Sequence, residues 1–185
     1  MRLVYRSVPA IESQPEKSKK GIYHIADFFL RFWFRYVHPY QNALDLGMAD
    51  GILAQRVRST FEQFVSYGFE EAARAYVSRL ARKAQLSFLP ERIGSWWDQS
   101  SEIDVLAVSD SERALLVGEC KWSTSPVGSD ILEDLKRKTQ MLQRTKSWDR
   151  ITYFLFAKSG FTPALQEQAS KEEDVHLISV EDCLI

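Results

Sequence analysis

The stretch Ile103-Asp104-Val105-Leu106-Ala107-Val108, then Ser109-Asp110-Ser111-Glu112, then Ala114-Leu115-Leu116-Val117-Gly118-Glu119-Cys120-Lys121, decides the fold. Two short apolar runs flank a cluster of polar turn formers, the pattern of a β-hairpin. With 109–112 as the loop, Val108 pairs with Arg113 and Asp104 with Val117. Side chains alternate faces along a strand, so Asp104, Val117, Glu119 and Lys121 share one face and Cys120 takes the other. A three-residue loop without a bulge would send Asp104 to the opposite face. Both faces of the two runs are apolar, so the sheet must be covered on both sides, which predicts a layered α/β domain.

Two carboxylates and an ammonium beside a buried sheet cost free energy unless they satisfy one another or bind something. A hard divalent cation such as Mg²⁺ takes oxygen ligands from a few carboxylates and keeps several waters. Lys121 could then orient an attacking water or stabilise charge on a phosphoryl oxygen. The same spacing also suits a hairpin whose end emerges into solvent, with Glu119 and Lys121 as an ordinary surface pair.

Working outward, Arg92-Ile93-Gly94-Ser95-Trp96-Trp97 reads as a strand entering the hairpin. Trp96 and Trp97 either flank the site, where they could stack on a base, or pack under the sheet. A helix is predicted from about Phe69 to Lys83, after an interruption at Gly68, with Phe69, Ala72, Ala73, Tyr76, Val77 and Leu80 on its inner face. Glu70 lies on the flank of that face, and Glu71 on the outer face with Arg74, Ser78 and Arg82. Glu70 is therefore the glutamate to point inward. Its alternative is a first-turn glutamate that interacts with the helix dipole. After the hairpin, Pro126 and Gly128 precede a helix from about Asp130 to Arg144, acidic first and basic later. Ile151 to Ala157 reads as a strand, Pro163 to Ala169 as a short helix and Val175 to Val180 as a last strand. The link from 114–121 to 151–157 is long enough for a parallel crossover.

Upstream, Leu3 to Val8 and Gly21 to Ile25 look like two short strands joined by a polar loop. An aromatic helix from Ile25 to Tyr40 follows, stopped by Pro39, and one or two further helices fill Asn42 to Tyr67. Two parts are expected, 1–67 and 68–185. The aromatic stretch is short for a membrane span and carries Asp27, Arg31 and Arg35, so it is read as a helix that is partly buried and partly an interface with another domain or subunit. The N-terminus lacks an apolar core followed by small residues, which makes a cytoplasmic protein the expectation.

The 185 residues suffice for one good core, and 45% hydrophobic with 26% charged residues are those of a folded chain. A net charge of −1 supplies no overall field to attract nucleic acid, so such a role needs local basic patches or a partner. The only two cysteines, Cys120 and Cys183, lack metal-ligand spacing, and His24, His38 and His176 are scattered.

The predicted order from residue 69 is helix, three strands, helix, strand, helix, strand. With Glu70 on the first helix, Asp104 on one strand and Glu119-Cys120-Lys121 on the next, it resembles the PD-(D/E)XK nuclease superfamily, the restriction-endonuclease-like fold. A narrower resemblance rests on Gly21-Ile22-Tyr23-His24-Ile25-Ala26-Asp27, Phe29-Leu30-Arg31-Phe32-Trp33, Gly68-Phe69-Glu70-Glu71, Trp96-Trp97-Asp98, Glu102-Ile103-Asp104-Val105 and Gly118-Glu119-Cys120-Lys121-Trp122. These segments look like the C-terminal region of a family of archaeal and bacterial AAA+-type ATPases. There an ATPase module and a winged helix precede a domain of unknown function with a nuclease-like fold. The strands between Leu3 and Ile25 would correspond to the wing hairpin. No Walker A pattern is present, so this chain has no P-loop of its own, and Ile103 stands where the superfamily often has proline.

The resemblance implies a Mg²⁺-dependent (or Mn²⁺-dependent) DNA phosphodiesterase. Asp104, Glu119 and the backbone carbonyl of Cys120 would hold the metal, Glu70 would complete the site directly or through water, and Lys121 would activate the water. Arg82, Lys83, Lys136 and Lys138 would contact the DNA backbone, or else form solvated helix faces. The second implied role is a non-catalytic DNA-binding or regulatory module, docked on an ATPase through the aromatic helix.

Overall fold

The two apolar runs pair as an antiparallel hairpin in the computed structural model, which describes residues 3–144 and 146–184. They are strands β4 (Glu102–Ser109) and β5 (Ala114–Lys121) of a five-stranded sheet. The sheet is completed by β3 (Arg92–Trp97), β6 (Arg150–Ala157) and β7 (Val175–Ser179), in the order β3-β4-β5-β6-β7. Pairing is antiparallel from β3 to β5 and parallel from β5 to β7. The parallel half needs crossovers, and helices α5 (Ser129–Gln143) and α6 (Pro163–Lys171) supply them.

The sheet is covered on both faces, as its two-sided apolarity requires. On one face Leu106, Val108, Leu115 and Val117 pack against Leu132, Leu135 and Leu142 of α5 and Leu165 of α6. On the other, Val105, Ala107, Leu116 and Phe156 meet Phe69, Ala73 and Val77 of α4 (Phe61–Arg82). The terminal helix α7 (Val180–Leu184) adds Cys183 to that second cluster. Full burial of each leucine, valine or phenylalanine among them stabilises the fold by about 1.5–3 kcal/mol.

Helix α4 is one continuous element that runs through Gly68, where a break was expected. Glycine in a helix interior costs about 1 kcal/mol relative to alanine. Here it makes room, because a Cβ at position 68 would lie 3.3 Å from the Phe28 ring. The division expected at 67/68 therefore falls inside α4.

The N-terminal strands β1 (Val4–Ser7) and β2 (Ile22–Ile25) form a separate antiparallel hairpin. The aromatic stretch that follows is helical from Phe28 to Tyr40. It comprises α1 (Phe28–Phe32), a π-helical turn (Trp33–Val37) and a 3₁₀ turn (His38–Tyr40). Asp27 caps its start by accepting from the Leu30 N–H at 2.9 Å. Pro39 does not end the helical path, which goes on as α2 (Gln41–Asp45) and α3 (Ala49–Ile52). The hairpin and α1 are tied to α4 through Glu71. This carboxylate pairs with Arg31 at 2.6 Å and accepts from the Tyr5 hydroxyl at 3.1 Å, so it does not lie on a solvated outer face. Among the described residues no helix is long and apolar enough to cross a membrane.

Candidate active site

The hairpin loop lies one residue later than its polar cluster predicts, which moves every cross-strand partner by two. Ser109 pairs with Ala114 and the loop is 110–113, with Arg113 in the left-handed region at φ 50°. A shift of two preserves parity, so Glu119 stays on the face of Leu115 and Val117, under α5. Asp104 departs from that face. Gly94 pairs with Leu106 and Trp96 with Ile103, so β4 carries one extra residue opposite Ser95. This bulge breaks the alternation: Ile103 joins the cluster under α5 and Val105 the cluster under α4. Asp104 sits at the break and borders a cleft on the α4 side.

Beyond the Val105–Gly118 pair the two strands no longer exchange ladder bonds. Main-chain groups left open in this way must find other partners. The Cys120 N–H donates to Asp104 Oδ2 at 2.8 Å, and Arg74 Nη1 donates to the Asp104 carbonyl at 2.7 Å. The opening between the strands is thus held by the side chains that line it.

Glu119 is clamped by two ammonium groups. Lys121 Nζ lies 2.8 Å from Oε1, and Lys138 Nζ, from α5, lies 3.0 Å from Oε2. Lys138 also reaches Asp134 Oδ2 at 3.3 Å. Its side chain is only 11% exposed and that of Glu119 only 7%. Burial disfavours the Lys138 ammonium, but the facing carboxylates of Glu119 and Asp134 outweigh it and raise its pKa. Glu70 stands on the α4 side with Arg74 at 3.8 Å. Burial, and next the nearby Asp104 carboxylate, push Glu70 up to about 7. Burial, and next Glu119, push Asp104 up to about 6, against the opposing pull of the Cys120 N–H and Lys121. Burial also raises the Cys120 thiol, which leaves it protonated and unreactive.

All four predicted residues, Glu70, Asp104, Glu119 and Lys121, therefore gather where β4 and β5 part. Two further groups that sequence reading did not place there join them. Arg74 has a sequence signal, since it lies one turn beyond Glu70. Lys138 has only its i,i+4 spacing from Asp134. The remaining basic residues lie elsewhere. Lys136 pairs with Glu172 at 2.5 Å and lies over the Tyr153 ring. Arg82 and Lys83 are exposed at the far end of α4, about 18 Å along its axis from Glu70. Trp96 is buried under the sheet with Ile103, while Trp97 lines the cleft.

Among the described residues, no three His, Cys, Asp or Glu side chains already form a cluster able to hold a metal ion. The donor chemistry nevertheless fits a hard divalent cation. Glu119 uses two of its roughly four acceptor positions. Asp104 and Glu70 carry raised pKa values that an added positive charge would relieve.

The element order from α4 onward is helix, three strands, helix, strand, helix, strand and the short terminal helix α7, around a mixed sheet covered on both faces. Up to β7, that is the order expected from the resemblance to the restriction-endonuclease-like fold. The chain belongs to a family described as archaeal and bacterial proteins of unknown function, whose sequence profile matches residues 33–141. It is 32% identical over 144 residues to an uncharacterized protein of Methanocaldococcus jannaschii. The match takes in 77% of this chain but only 32% of that relative, so the chain spans about a third of the relative's length. It is also similar to the crystal structure of a repair endonuclease from Pyrococcus abyssi. That likeness has 17% identity and a TM-score of 0.39, over 57% of this chain and 45% of the other.

Proposed function

We propose that the chain carries a Mg²⁺- or Mn²⁺-dependent phosphodiesterase site acting on DNA. The observation that carries this reading is the opening between β4 and β5. There Asp104 takes the Cys120 N–H while Glu119 and Lys121 stand on the neighbouring strand. A domain used only for scaffolding has no physical need for one buried and two half-buried carboxyl groups at one opened strand edge.

In this reading Asp104, Glu119 and the Cys120 carbonyl hold the cation, with Glu70 completing the set directly or through water. When bound, the cation supplies Lewis-acid polarisation of the phosphate and stabilises the leaving oxygen. Lys121 orients the water whose oxygen bonds to phosphorus as the P–O ester bond breaks. Lys138, 3.0 Å from Oε2, holds Glu119 in place. Glu70 lines the same cleft end as Asp104 and, where it stands off the cation behind a water, would pass the proton from the attacking water to the leaving oxygen.

A second reading is favoured by one feature, the exposed aromatic side chains Phe28 and Phe34 that line the cleft beside the site. Contiguous exposed apolar surface marks an interaction site. On this reading the chain is a non-catalytic DNA-binding or regulatory module that docks on an ATPase domain or subunit.

The test is incubation with supercoiled, linear and branched DNA, with Mg²⁺, Mn²⁺ or chelator, alongside Asp104→Ala and Lys121→Ala. Cleavage that requires metal and is lost in both variants supports the phosphodiesterase. A folded protein that neither binds metal nor cleaves any of these DNAs removes it and leaves the docking module.

A further inference from the structure

A cleft of about 1120 Å³ opens between the N-terminal hairpin, α1, α4 and the β3–β4 edge. Its inner end is lined by Glu70, Arg74 and Asp104, which are also members of the candidate active site. Anything seated in the cleft therefore reaches that site. Its outer walls expose aromatic faces that packing leaves free: Tyr23 is 72% exposed, Phe34 50% and Tyr67 47%. The same walls carry two cations that face no carboxylate among the described residues. Arg35 donates to Gln63 Oε1 at 2.8 Å, and Arg6 donates to the carbonyls of Pro15 and Ser18. Arg31 and Arg74, by contrast, are paired with Glu71 and Glu70. The cleft is thus cationic and aromatic outside and acidic inside.

A polyanion with flat bases matches this gradient. Aromatic platforms that stack bases, beside arginines that follow the phosphates, are how single strands are held without regard to sequence. Base stacking favours the single strand: its bases are free to lie on exposed aromatic platforms, whereas those of a duplex are already paired and stacked inside it. We infer that the cleft binds a single-stranded segment of DNA and leads its phosphodiester backbone to the Asp104 end. This inference rests on the phosphodiesterase reading and names the form of its substrate.

The experiment separates the two. Fluorescence anisotropy with labelled oligothymidylate, and with a blunt duplex of equal length, is run in chelator, where no hydrolysis intervenes. Tyr23→Ala and Arg35→Ala are compared with the parent, and thermal melting verifies that each is folded. The single strand should bind at least tenfold more tightly than the duplex. Tyr23→Ala should weaken it by about tenfold, and Arg35→Ala should flatten the slope of log K against log salt by about 0.7. Duplex binding as tight as single-strand binding overturns the inference. So does an unchanged single-strand affinity in both variants, or tighter binding of the matching oligouridylate. Metal-dependent cleavage with no strand preference would remove this inference and leave the phosphodiesterase standing. Selective single-strand binding with no cleavage under any metal would remove the phosphodiesterase, and the substrate role with it, and leave the cleft as a single-strand binding site.

Discussion

Replacing Asp104 by asparagine should stabilise the protein at neutral pH. Asparagine is nearly isosteric and retains an oxygen to accept the Cys120 N–H, which Asp104 now takes at 2.8 Å. What it removes is a carboxyl group whose pKa is raised from 3.8 to about 6 by burial and by Glu119. For an acid raised in the folded state, the protonated form is favoured by folding and the ionised form is penalised. The penalty is absent below about pH 4, grows as pH rises towards 6 and is complete above it. At about 1.4 kcal/mol per tenfold, it amounts to roughly 3 kcal/mol at pH 8. For a chain of this size that corresponds to a melting-temperature rise of roughly 6–12 °C. The assay is urea unfolding of parent and variant at pH 4 and pH 8, read as the difference between the two proteins. The gain should appear at pH 8 and vanish at pH 4. Mg²⁺ should stabilise the parent and have a smaller effect on the variant. A variant equally stable or less stable than the parent at pH 8 would refute the argument that Asp104 is held ionised against its surroundings. Glu70→Gln should behave similarly with a window shifted upward, since Glu70 rises from 4.5 to about 7. The two effects should not add, because Asp104 is one of the carboxylates that raise Glu70.

Two further outcomes are expected. Lys138→Met should destabilise by about 2–3 kcal/mol, because it leaves a buried carboxylate with one ammonium instead of two. A double-mutant cycle with Glu119→Gln should show a coupling above 1 kcal/mol in denaturant titrations, and additivity within about 0.5 kcal/mol would show that the clamp has no energetic weight. Gly118→Ala should cost about 1–3 kcal/mol, since its Cβ would meet Val105 Cβ at 2.9 Å and the Phe156 ring at 3.1 Å. Unfolding by heat reads the loss, and an unchanged melting temperature would mean that β4 and β5 tolerate a wider spacing at the edge of the site.

Much of the site was legible because strand periodicity is rigid. Two apolar runs around a polar cluster specify a hairpin, and the loop shift from 109–112 to 110–113 left parity intact. Glu119 and Lys121 therefore lie where alternation puts them. Helix periodicity likewise turned Glu70 inward. The bulge that moves Asp104 off that face was not legible, because no glycine or proline marks it within β4. It follows from how Trp96 and Ile103 pack together under α5. Gly68 was read as a break because glycine weakens isolated helices. In the folded chain the ring of Phe28 fills the space that glycine leaves.

Local pattern by itself determined the layered α/β architecture, the β4–β5 hairpin and the acids and lysine carried on it, since these depend on turn chemistry and on alternation within a few residues. The tertiary fold alone decided that Lys138 clamps Glu119, that Arg74 fills the gap left by the parted strands, and that Glu71 serves the N-terminal hairpin. Those pairings join residues 19 to 66 positions apart. A buried charge takes whichever opposite charge the packing brings near it, and nothing in the flanking sequence of either partner specifies that choice.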